Sequence, residues 1–354
     1  MDTATRRTPA AAAAPTAAGV GIGVIGVGRI GGMHADLLAR RVPGATVAAV
    51  YDADAGTARG VGAELGVPVA GSAQELMAFP DVDAVAICSS TATHADFIVA
   101  AAEAGKAIFC EKPVSLDLAE VDRALAAVEE AGVPFQIGFN RRFDPAHQSL
   151  RDAVAAGAVG EPHLVRISSR DPAPPPVEYV RHSGGIFLDM TIHDFDMARY
   201  VTRAEVVEVF ARGAVRVDQA FADAGDVDTA MVMLVHENGC LTSIDNSRRA
   251  VYGYDQRVEV FGSAGMAATE NPLAHSGVVR TAEGTREPAL PYFYLERYTA
   301  SYVREWEAFV TALSDGVTPP VTTADARAPL VIGLAAHRSL REGRPVRIEE
   351  IDAR

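Results

Sequence analysis

The stretch that decides the fold is "VGIGVIGVGRIGGMHADLLARR", residues 20–41. Its beginning is apolar, which is typical of a buried strand, and "GGMHADLLARR" has the pattern of a helix. Between the two, Gly26, Gly28 and Gly31 form the spacing G-x-G-x-x-G. The first glycine permits a tight turn, the second lets the backbone approach a pyrophosphate, and the helix N-terminus supplies N–H donors. The stretch therefore predicts a dinucleotide-binding domain.

Asp52 supports this prediction from the end of the next predicted strand, "TVAAVYD", about 20 residues after Gly31. A carboxylate at this place accepts hydrogen bonds from both ribose hydroxyls of an adenosine. It would also repel a 2'-phosphate, and "YDADAG" contains no adjacent Arg to neutralise one. We therefore predict NAD rather than NADP as the cofactor. A glycine turn that only packs a helix on a strand is the alternative interpretation.

The order of strand-like and helix-like runs predicts the rest of the fold. Up to Asn140 the runs alternate, which is typical of a doubly wound parallel sheet. Beyond residue 150, runs such as "PHLVRIS", "TAMVMLVHE" and "RVEVFGS" follow one another with few helices between them, which favours an antiparallel sheet. The predicted fold class is an α/β Rossmann N-terminal domain plus an α+β C-terminal domain with a large, mostly antiparallel open sheet.

We predict the domain boundaries from the same pattern. Residues 1–18, rich in Ala, are expected to form a disordered tail, and residues 19–140 the NAD-binding domain. Residues 141–354 are expected to bind substrate and to mediate oligomerisation, and a C-terminal helix can pack back on the first domain. A chain of 354 residues exceeds the usual size of a single core, which agrees with two domains.

Composition excludes several classes of partner. The formal net charge of −14 argues against a nucleic-acid surface, and the uncharged N-terminal run is too weakly hydrophobic to span a membrane. Cys88, Cys110 and Cys240 are odd in number and lie far apart in apolar runs, so we expect buried free thiols rather than disulfides or a zinc site. These features predict a cytoplasmic protein that binds neither nucleic acid nor membrane.

Lys112 is the first catalytic candidate. It lies in "CEKP", residues 110–113, which ends a predicted parallel strand at the edge where ligands of such folds bind. The chain has only two lysines against thirty arginines, so an amine kept at this position suggests a compact donor whose proton affinity can be tuned.

The second candidate set lies in "GGIFLDMTIHDFDMARY", residues 184–200, which we predict to be one helix. Asp189 and His193 are four positions apart and so share a helical face, which Asp196 extends. A carboxylate beside an imidazole fixes its tautomer and raises its basicity, as a general base requires. A structural hydrogen-bond network and a metal site are the alternatives, but no second group of ligands completes a metal site, and we predict none. His34, His147 and His337, also on predicted helices, are expected to be surface or capping residues.

Together, the glycine motif, "CEKP" and "GGIFLDMTIHDFD" resemble the Gfo/Idh/MocA oxidoreductase family over residues 20–345. "GFNRRFDP" (138–145) and "NSRRAVYGYDQRVEVFGSAGM" (246–266) further resemble its inositol dehydrogenase branch. The resemblance implies a homotetramer and a polyol substrate. It implies that His193 takes the hydroxyl proton, that Asp189 orients His193, and that Lys112 holds the substrate oxygen. It also implies polyol contacts from Arg142, Tyr252 and Asp196, with Arg141 as a further candidate.

The resemblance extends to the cofactor site through "CSSTATHAD", in which Ala92 replaces the proline usual in the family. Combined with the glycine motif, it gives the predicted cofactor-binding residues, which are Gly26, Gly28, Arg29, Ile30, Gly31, Asp52, Ser89, Ser90, Thr91, His94, Glu111, Lys112 and Asn140.

The expected activity is NAD-dependent oxidation of myo-inositol, or a close cyclitol, to 2-keto-myo-inositol (scyllo-inosose). Two alternatives remain open at this point. One is a dehydrogenase of the same family that acts on glucose or galactose, since pyranoses and cyclitols present similar arrays of hydroxyls. The other is a non-catalytic NAD-sensing protein, although such a protein need not keep Lys112, Asp189 and His193.

Overall fold

A computed structural model of the chain describes residues 19–352 and divides them into two compact units. The first consists of the described residues up to Gly138 together with Tyr302–Arg327, and the second of Phe139–Ser301 together with the residues from Ala328 onward. The predicted N-terminal tail, residues 1–18, lies outside the described residues. Within residues 19–352, none of the helices has the length and apolar character needed to cross a membrane.

The first unit is built on a parallel sheet. Its elements are β1 (Val20–Ile25), α1 (Arg29–Arg40), β2 (Ala45–Tyr51), α2 (Ala55–Leu65), α3 (Ala73–Ala78), β3 (Ala84–Ile87), α4 (Thr91–Glu103), β4 (Ala107–Glu111), α5 (Leu118–Ala131) and β5 (Phe135–Gly138). The strand order is β2-β1-β3-β4-β5, and every neighbouring pair is parallel. This is the predicted Rossmann arrangement.

Local sequence explains where the helices of this unit begin and end. Asp54 caps α2 by accepting from the backbone N of Thr57, and α2 is followed by Gly66, which adopts a left-handed conformation. The strands are mostly apolar because helices cover both faces of a parallel sheet. Their core includes Ile22 and Phe109.

The elements that follow β5 lie mostly in the second unit. In chain order these are a 3-10 helix (Asn140–Phe143), α6 (Pro145–Ala155), β6 (Pro162–Arg170), α7 (Val177–Val180), α8 (Gly185–Asp189), α9 (Ile192–Thr202), β7 (Val206–Ala214), α10 (Gln219–Asp223), β8 (Thr229–His236), β9 (Leu241–Ser247), β10 (Asp255–Gly262), β11 (Gly265–Ala268), β12 (Val279–Thr281), β13 (Gly284–Arg286), α11 (Tyr294–Asp315), α12 (Thr323–Glu342), β14 (Val346–Arg347) and a 3-10 helix (Ile348–Glu350). The division between the units falls within α11 and α12.

The main sheet of this unit has seven strands in the order β11-β10-β6-β9-β8-β7-β14. Only the β6–β9 pair is parallel, so the predicted mostly antiparallel sheet is confirmed. Alternate residues such as Val165 and Ile167 enter a core that Phe195 of α9 shares. The intervening residues, including Leu164 and Phe261, are exposed on the other face.

The stretch predicted as one helix, residues 184–200, forms two. Helix α8 ends at Asp189, and α9 begins at Ile192. The backbone N of Thr191 donates to the carbonyl oxygen of Ile186, five residues earlier, which widens the turn and interrupts the regular helical pattern. The prediction of one continuous helix over residues 184–200 was therefore wrong.

Candidate active site

The glycine-rich turn between β1 and α1 has the geometry of a phosphate cradle. Gly26 has φ of +83°, and a Cβ on Gly31 would lie 1.8 Å from the carbonyl oxygen of Gly26, so both positions require glycine. A Cβ on Gly28 would meet no atom within 4 Å. The backbone there is therefore open to close approach, and Arg29 and Ile30 follow as the first turn of α1. The arrangement fits a bound pyrophosphate.

Asp52 lies directly after β2 and is held in place by two backbone donors. Its Oδ2 accepts from the backbone N of Val27 at 2.8 Å, and its Oδ1 accepts from the backbone N of Asp54 at 2.9 Å. These bonds tie the carboxylate to the glycine-rich turn while leaving it partly accessible. A ribose acceptor needs this position and fixed orientation.

The predicted cofactor residues that follow β3 surround the start of α4. Ser89 shares a 2.7 Å hydrogen bond with the hydroxyl of Thr93, and Ser90 and Thr91 follow at the helix terminus. His94 is 2% exposed, and its ring nitrogens lie 2.8 Å from the carbonyl oxygen of Pro113 and 3.0 Å from that of Ser89. Burial lowers the pKa of His94. The ring therefore joins two loops, and its contact with a cofactor stays a prediction.

Four predicted segments come together at one edge of the parallel sheet. The glycine-rich turn follows β1, Asp52 follows β2, Ser89 follows β3, and Lys112 follows β4. The strands lie side by side in register, with Ile87 opposite both Ile25 and Cys110. Carboxyl ends of parallel strands are where such sheets bind ligands.

In the second unit, the contacts of Asp189 identify two residues that sequence reasoning missed. The hydroxyl of Tyr179 donates to its Oδ1, and Nη2 of Arg248 donates to its Oδ2, both at 2.8 Å. Arg248 is 3% exposed. A hydroxyl and a guanidinium thus fix the position of the carboxylate.

His193 lies in the first turn of α9 and is half-buried. Its ring meets that of Phe139 edge-on, with 6.0 Å between the ring centroids. Asn140, the next residue after Phe139, begins the 3-10 helix and is 3% exposed. An apolar ring beside an imidazole restricts the rotation of the imidazole without supplying a charge.

Arg142 and Asp196, which are two of the predicted polyol-binding residues, form an ion pair with each other. Nε of Arg142 donates to both carboxylate oxygens of Asp196, and Nη2 lies 2.6 Å from Oδ1. The side chain of Asp196 is 1% exposed and that of Arg142 is 11% exposed. Tyr252, the third predicted contact, is 51% exposed, and its hydroxyl bonds Arg170 and Asp255.

Arg141 and Asp194 form a second ion pair, which is buried. Nη1 of Arg141 donates to Oδ1 of Asp194 at 2.8 Å, and Nδ2 of Asn246 donates to Oδ2 at 2.7 Å. Burial raises the pKa of Asp194 to about 6 despite the guanidinium. Since Asp194 directly follows His193, this pair anchors the helix that carries the candidate base.

Two segments of the chain match sequence models of a known protein family. Residues 20–139 match an oxidoreductase family with an NAD-binding Rossmann fold, and residues 147–268 match the GFO/IDH/MocA C-terminal domain. The chain belongs to the Gfo/Idh/MocA oxidoreductase family. This Gfo/Idh/MocA oxidoreductase therefore has an NAD-binding Rossmann fold in its first unit.

Among the relatives of this Gfo/Idh/MocA oxidoreductase is myo-inositol 2-dehydrogenase of Thermotoga maritima. It is 50% identical over 331 residues, which cover 93% of this chain and 99% of that protein. Inositol 2-dehydrogenase of Rhizobium meliloti is 44% identical, covering 93% and 99%. A solved structure of scyllo-inositol dehydrogenase from Lactobacillus casei, with bound NAD(H) and scyllo-inositol, has a TM-score of 0.87 at 29% identity and covers 93% of this chain and 99% of that one.

Proposed function

We propose that the chain oxidises myo-inositol, or a close cyclitol, to 2-keto-myo-inositol with NAD. The observation that carries this proposal is the 50% identity to a myo-inositol 2-dehydrogenase over nearly the whole length of both chains. The similar structure that holds NAD(H) and scyllo-inositol supports the same pairing of cofactor and substrate class.

In this proposal, different segments of the first unit bind different parts of NAD. Gly26, Gly28 and Gly31 receive the pyrophosphate, Asp52 accepts from the adenosine ribose, and the segment from Ser89 to Thr91 lines the nicotinamide side. When bound, NAD accepts the hydride from the carbon that bears the reacting hydroxyl. The open space over Gly28 and the fixed carboxylate of Asp52 support the first two assignments.

The proposed acid-base chemistry uses Lys112, Asp189 and His193. His193 takes the proton from the reacting hydroxyl, and Lys112 donates to the same oxygen, which stabilises negative charge as it develops. Asp189 favours the orientation and basicity of His193. The support is that Tyr179 and Arg248 hold this carboxylate in one position, so it can act on a neighbouring group without first reorganising.

Arg142, Asp196 and Tyr252 are proposed to bind the remaining hydroxyls. The ion pair of Arg142 and Asp196 offers donors and acceptors in a fixed geometry, which suits a ring with a hydroxyl on each carbon. A pyranose presents a similar array, so these contacts alone do not distinguish an inositol from an aldose.

A substrate panel tests the proposal. NADH formation is followed by absorbance with myo-inositol, scyllo-inositol, chiro-inositol, glucose and galactose as substrates. We expect kcat/KM for at least one inositol to exceed that for either aldose by at least roughly tenfold, because a misplaced hydroxyl leaves a site group unpaired. Turnover of aldoses without turnover of any inositol would overturn the proposal.

We also propose that the exposed face of the seven-stranded sheet forms a subunit interface in a homotetramer. Met266, Phe261, Leu164, Leu241 and Val235 are opposed in register across five neighbouring strands and form one apolar row. Phe261 is 45% exposed and Met266 56%. A contiguous apolar row on a monomer surface is a typical association site.

Light scattering coupled to gel filtration tests this assignment. The unchanged chain is expected to elute as a tetramer, and Phe261→Glu is expected to give smaller species because it places a charge within the apolar row. Val317→Glu, at an exposed apolar residue outside the seven-stranded sheet, is the matched control and should leave the tetramer intact. A monomeric unchanged chain, or a Phe261→Glu tetramer, would contradict the proposed interface.

A cytoplasmic location completes the proposal. Its support is that Cys88, Cys110 and Cys240 are all free thiols, which suits a reducing compartment. Cys110 and Cys240 are buried as predicted, whereas Cys88 is partly accessible.

A further inference from the structure

A buried hydrogen-bonded chain in the first unit has no part in the chemistry described so far. It consists of Trp306 on α11, His34 on α1 and Glu111 at the end of β4. His34 and Trp306 are completely buried. The ring of His34 meets the edges of Phe109, Tyr302 and Trp306 at centroid distances of 5.4–5.6 Å, which limits its rotation.

The direction of the hydrogen bonds in this chain follows from the chemistry of Trp306. An indole N–H can only donate, and Nε1 of Trp306 lies 2.8 Å from Nδ1 of His34. Nδ1 therefore accepts, and the proton of the neutral imidazole resides on Nε2. Nε2 lies 2.8 Å from Oε1 of Glu111, so His34 donates to that carboxylate. Trp306 thus selects the tautomer that Glu111 requires.

The two ends of this chain lie beside functional segments. His34 is on α1, which follows the glycine-rich turn. Glu111 immediately precedes Lys112, and its second oxygen, Oε2, accepts from the backbone N of Lys112 at 3.3 Å. One carboxylate therefore links the histidine of the dinucleotide-binding helix to the backbone of the proposed catalytic lysine.

The carboxyl group of Glu305, the residue before Trp306, does not interfere with the hydrogen bond between His34 and Glu111. Its side chain is completely buried, and within residues 19–352 neither carboxyl oxygen has a hydrogen-bond partner. Burial, and to a smaller extent the charge of Glu111, raises the pKa of Glu305 well above its usual range. Its neutral form is therefore favoured, and Glu111 is left to accept from His34.

We propose that Trp306, His34 and Glu111 form a positioning relay that fixes Lys112 relative to the helix that follows the glycine-rich turn. The inference rests on the proposed function, because the position of Lys112 matters only if the chain catalyses a reaction. His34 and Trp306 are completely buried, and in the relay they act on Lys112 through Glu111. Loss of the relay should consequently lower kcat while leaving NAD affinity nearly unchanged.

Four variants test the relay, and kcat, KM and the Kd of NAD are measured for each with the best substrate of the panel. His34→Leu removes both hydrogen bonds and is expected to lower kcat by roughly 10- to 100-fold, with NAD affinity within about threefold. His34→Gln retains an N–H donor at the place of Nε2 and is expected to restore kcat to within roughly threefold. Phe309→Leu, in the same aromatic cluster but outside the relay, is the packing control and should leave kcat unchanged.

Trp306→Phe isolates the effect on the tautomer. It should lower kcat by roughly tenfold in the unchanged chain but have little effect in the His34→Gln background, because an amide has no tautomers. The comparison of Trp306→Phe in these two backgrounds still tests the relay if the His34→Leu variant does not fold. Equal effects of Trp306→Phe in both backgrounds, or a His34→Gln variant no better than His34→Leu, would overturn the relay.

Nitrogen NMR of histidine-labelled protein provides a test that is independent of turnover. The signal that disappears in His34→Gln should show the Nε2–H tautomer in the unchanged chain and a shift toward a tautomer mixture in Trp306→Phe. An Nδ1–H tautomer in the unchanged chain would overturn the relay. Absence of turnover with every substrate of the panel, combined with the expected tautomer, would instead refute the proposed function.

Discussion

Replacing His193 with alanine is expected to lower kcat by roughly 10²- to 10⁴-fold near neutral pH. Without the imidazole, the reacting hydroxyl must give its proton to water, which is a weaker base. The glycine-rich turn and Asp52 are unchanged in this variant, so the Kd of NAD should stay within about threefold. Steady-state NADH formation gives kcat, and quenching of the fluorescence of Trp306, the single tryptophan, gives the Kd.

His275→Ala is the matched control, because this histidine is exposed and lies outside α8 and α9. It should retain the kcat of the unchanged chain. If His193→Ala turned over normally, His193 would not be the base, and Lys112 would become the next candidate.

The second large effect is expected on stability. Arg141→Met leaves Asp194 as an uncompensated charge in the core of the second unit and should lower the free energy of unfolding by about 3–5 kcal/mol at about pH 8. Adding Asp194→Asn should recover most of the loss, because the amide can be buried without a counter-charge. Urea unfolding followed by circular dichroism measures both.

The loss should depend on pH with a defined sign. Burial holds the pKa of Asp194 at about 6 in the folded chain, above its ordinary 3.8, and removal of Arg141 takes away a charge that lowers this pKa. The folded state therefore takes up a proton that the unfolded state releases, so the deficit is present at high pH and shrinks as the pH falls through the folded pKa. Arg338→Met, which breaks a partly exposed pair with Glu342, should cost under about 1 kcal/mol. A pH-independent deficit in Arg141→Met would exclude Asp194 as its source.

Much of the fold was predictable because it depends on local patterns. The glycine spacing and the alternation of runs predicted the Rossmann sheet, and closely spaced strands predicted the mostly antiparallel one. The break between α8 and α9 was not predictable in this way. "IFLDMTIHDF" is apolar enough to continue a helix, and the turn at Thr191 results from a backbone bond to Ile186 that no side-chain pattern signals.

The site was predictable where motifs place residues and less so where the chain brings distant segments together. Arg248 lay within the "NSRRAVYGYD" stretch that carried the resemblance, but the pairing of its guanidinium with Asp189 depends on tertiary structure. His34 and His147 were expected at the surface or at caps, which was wrong, because both are at most 2% exposed. A lone histidine on an amphipathic helix gives no sign of whether a buried partner such as Trp306 is present.

The way in which Asp189 is held has a practical consequence for protein engineering. Its two partners originate far apart in the chain, Tyr179 ten residues before it and Arg248 59 residues after it. A graft that exchanges residues 171–184 to alter substrate preference would also remove the phenol that steadies this carboxylate. Catalytic rate and selectivity would then change together, unless the donor loop brings an equivalent hydroxyl.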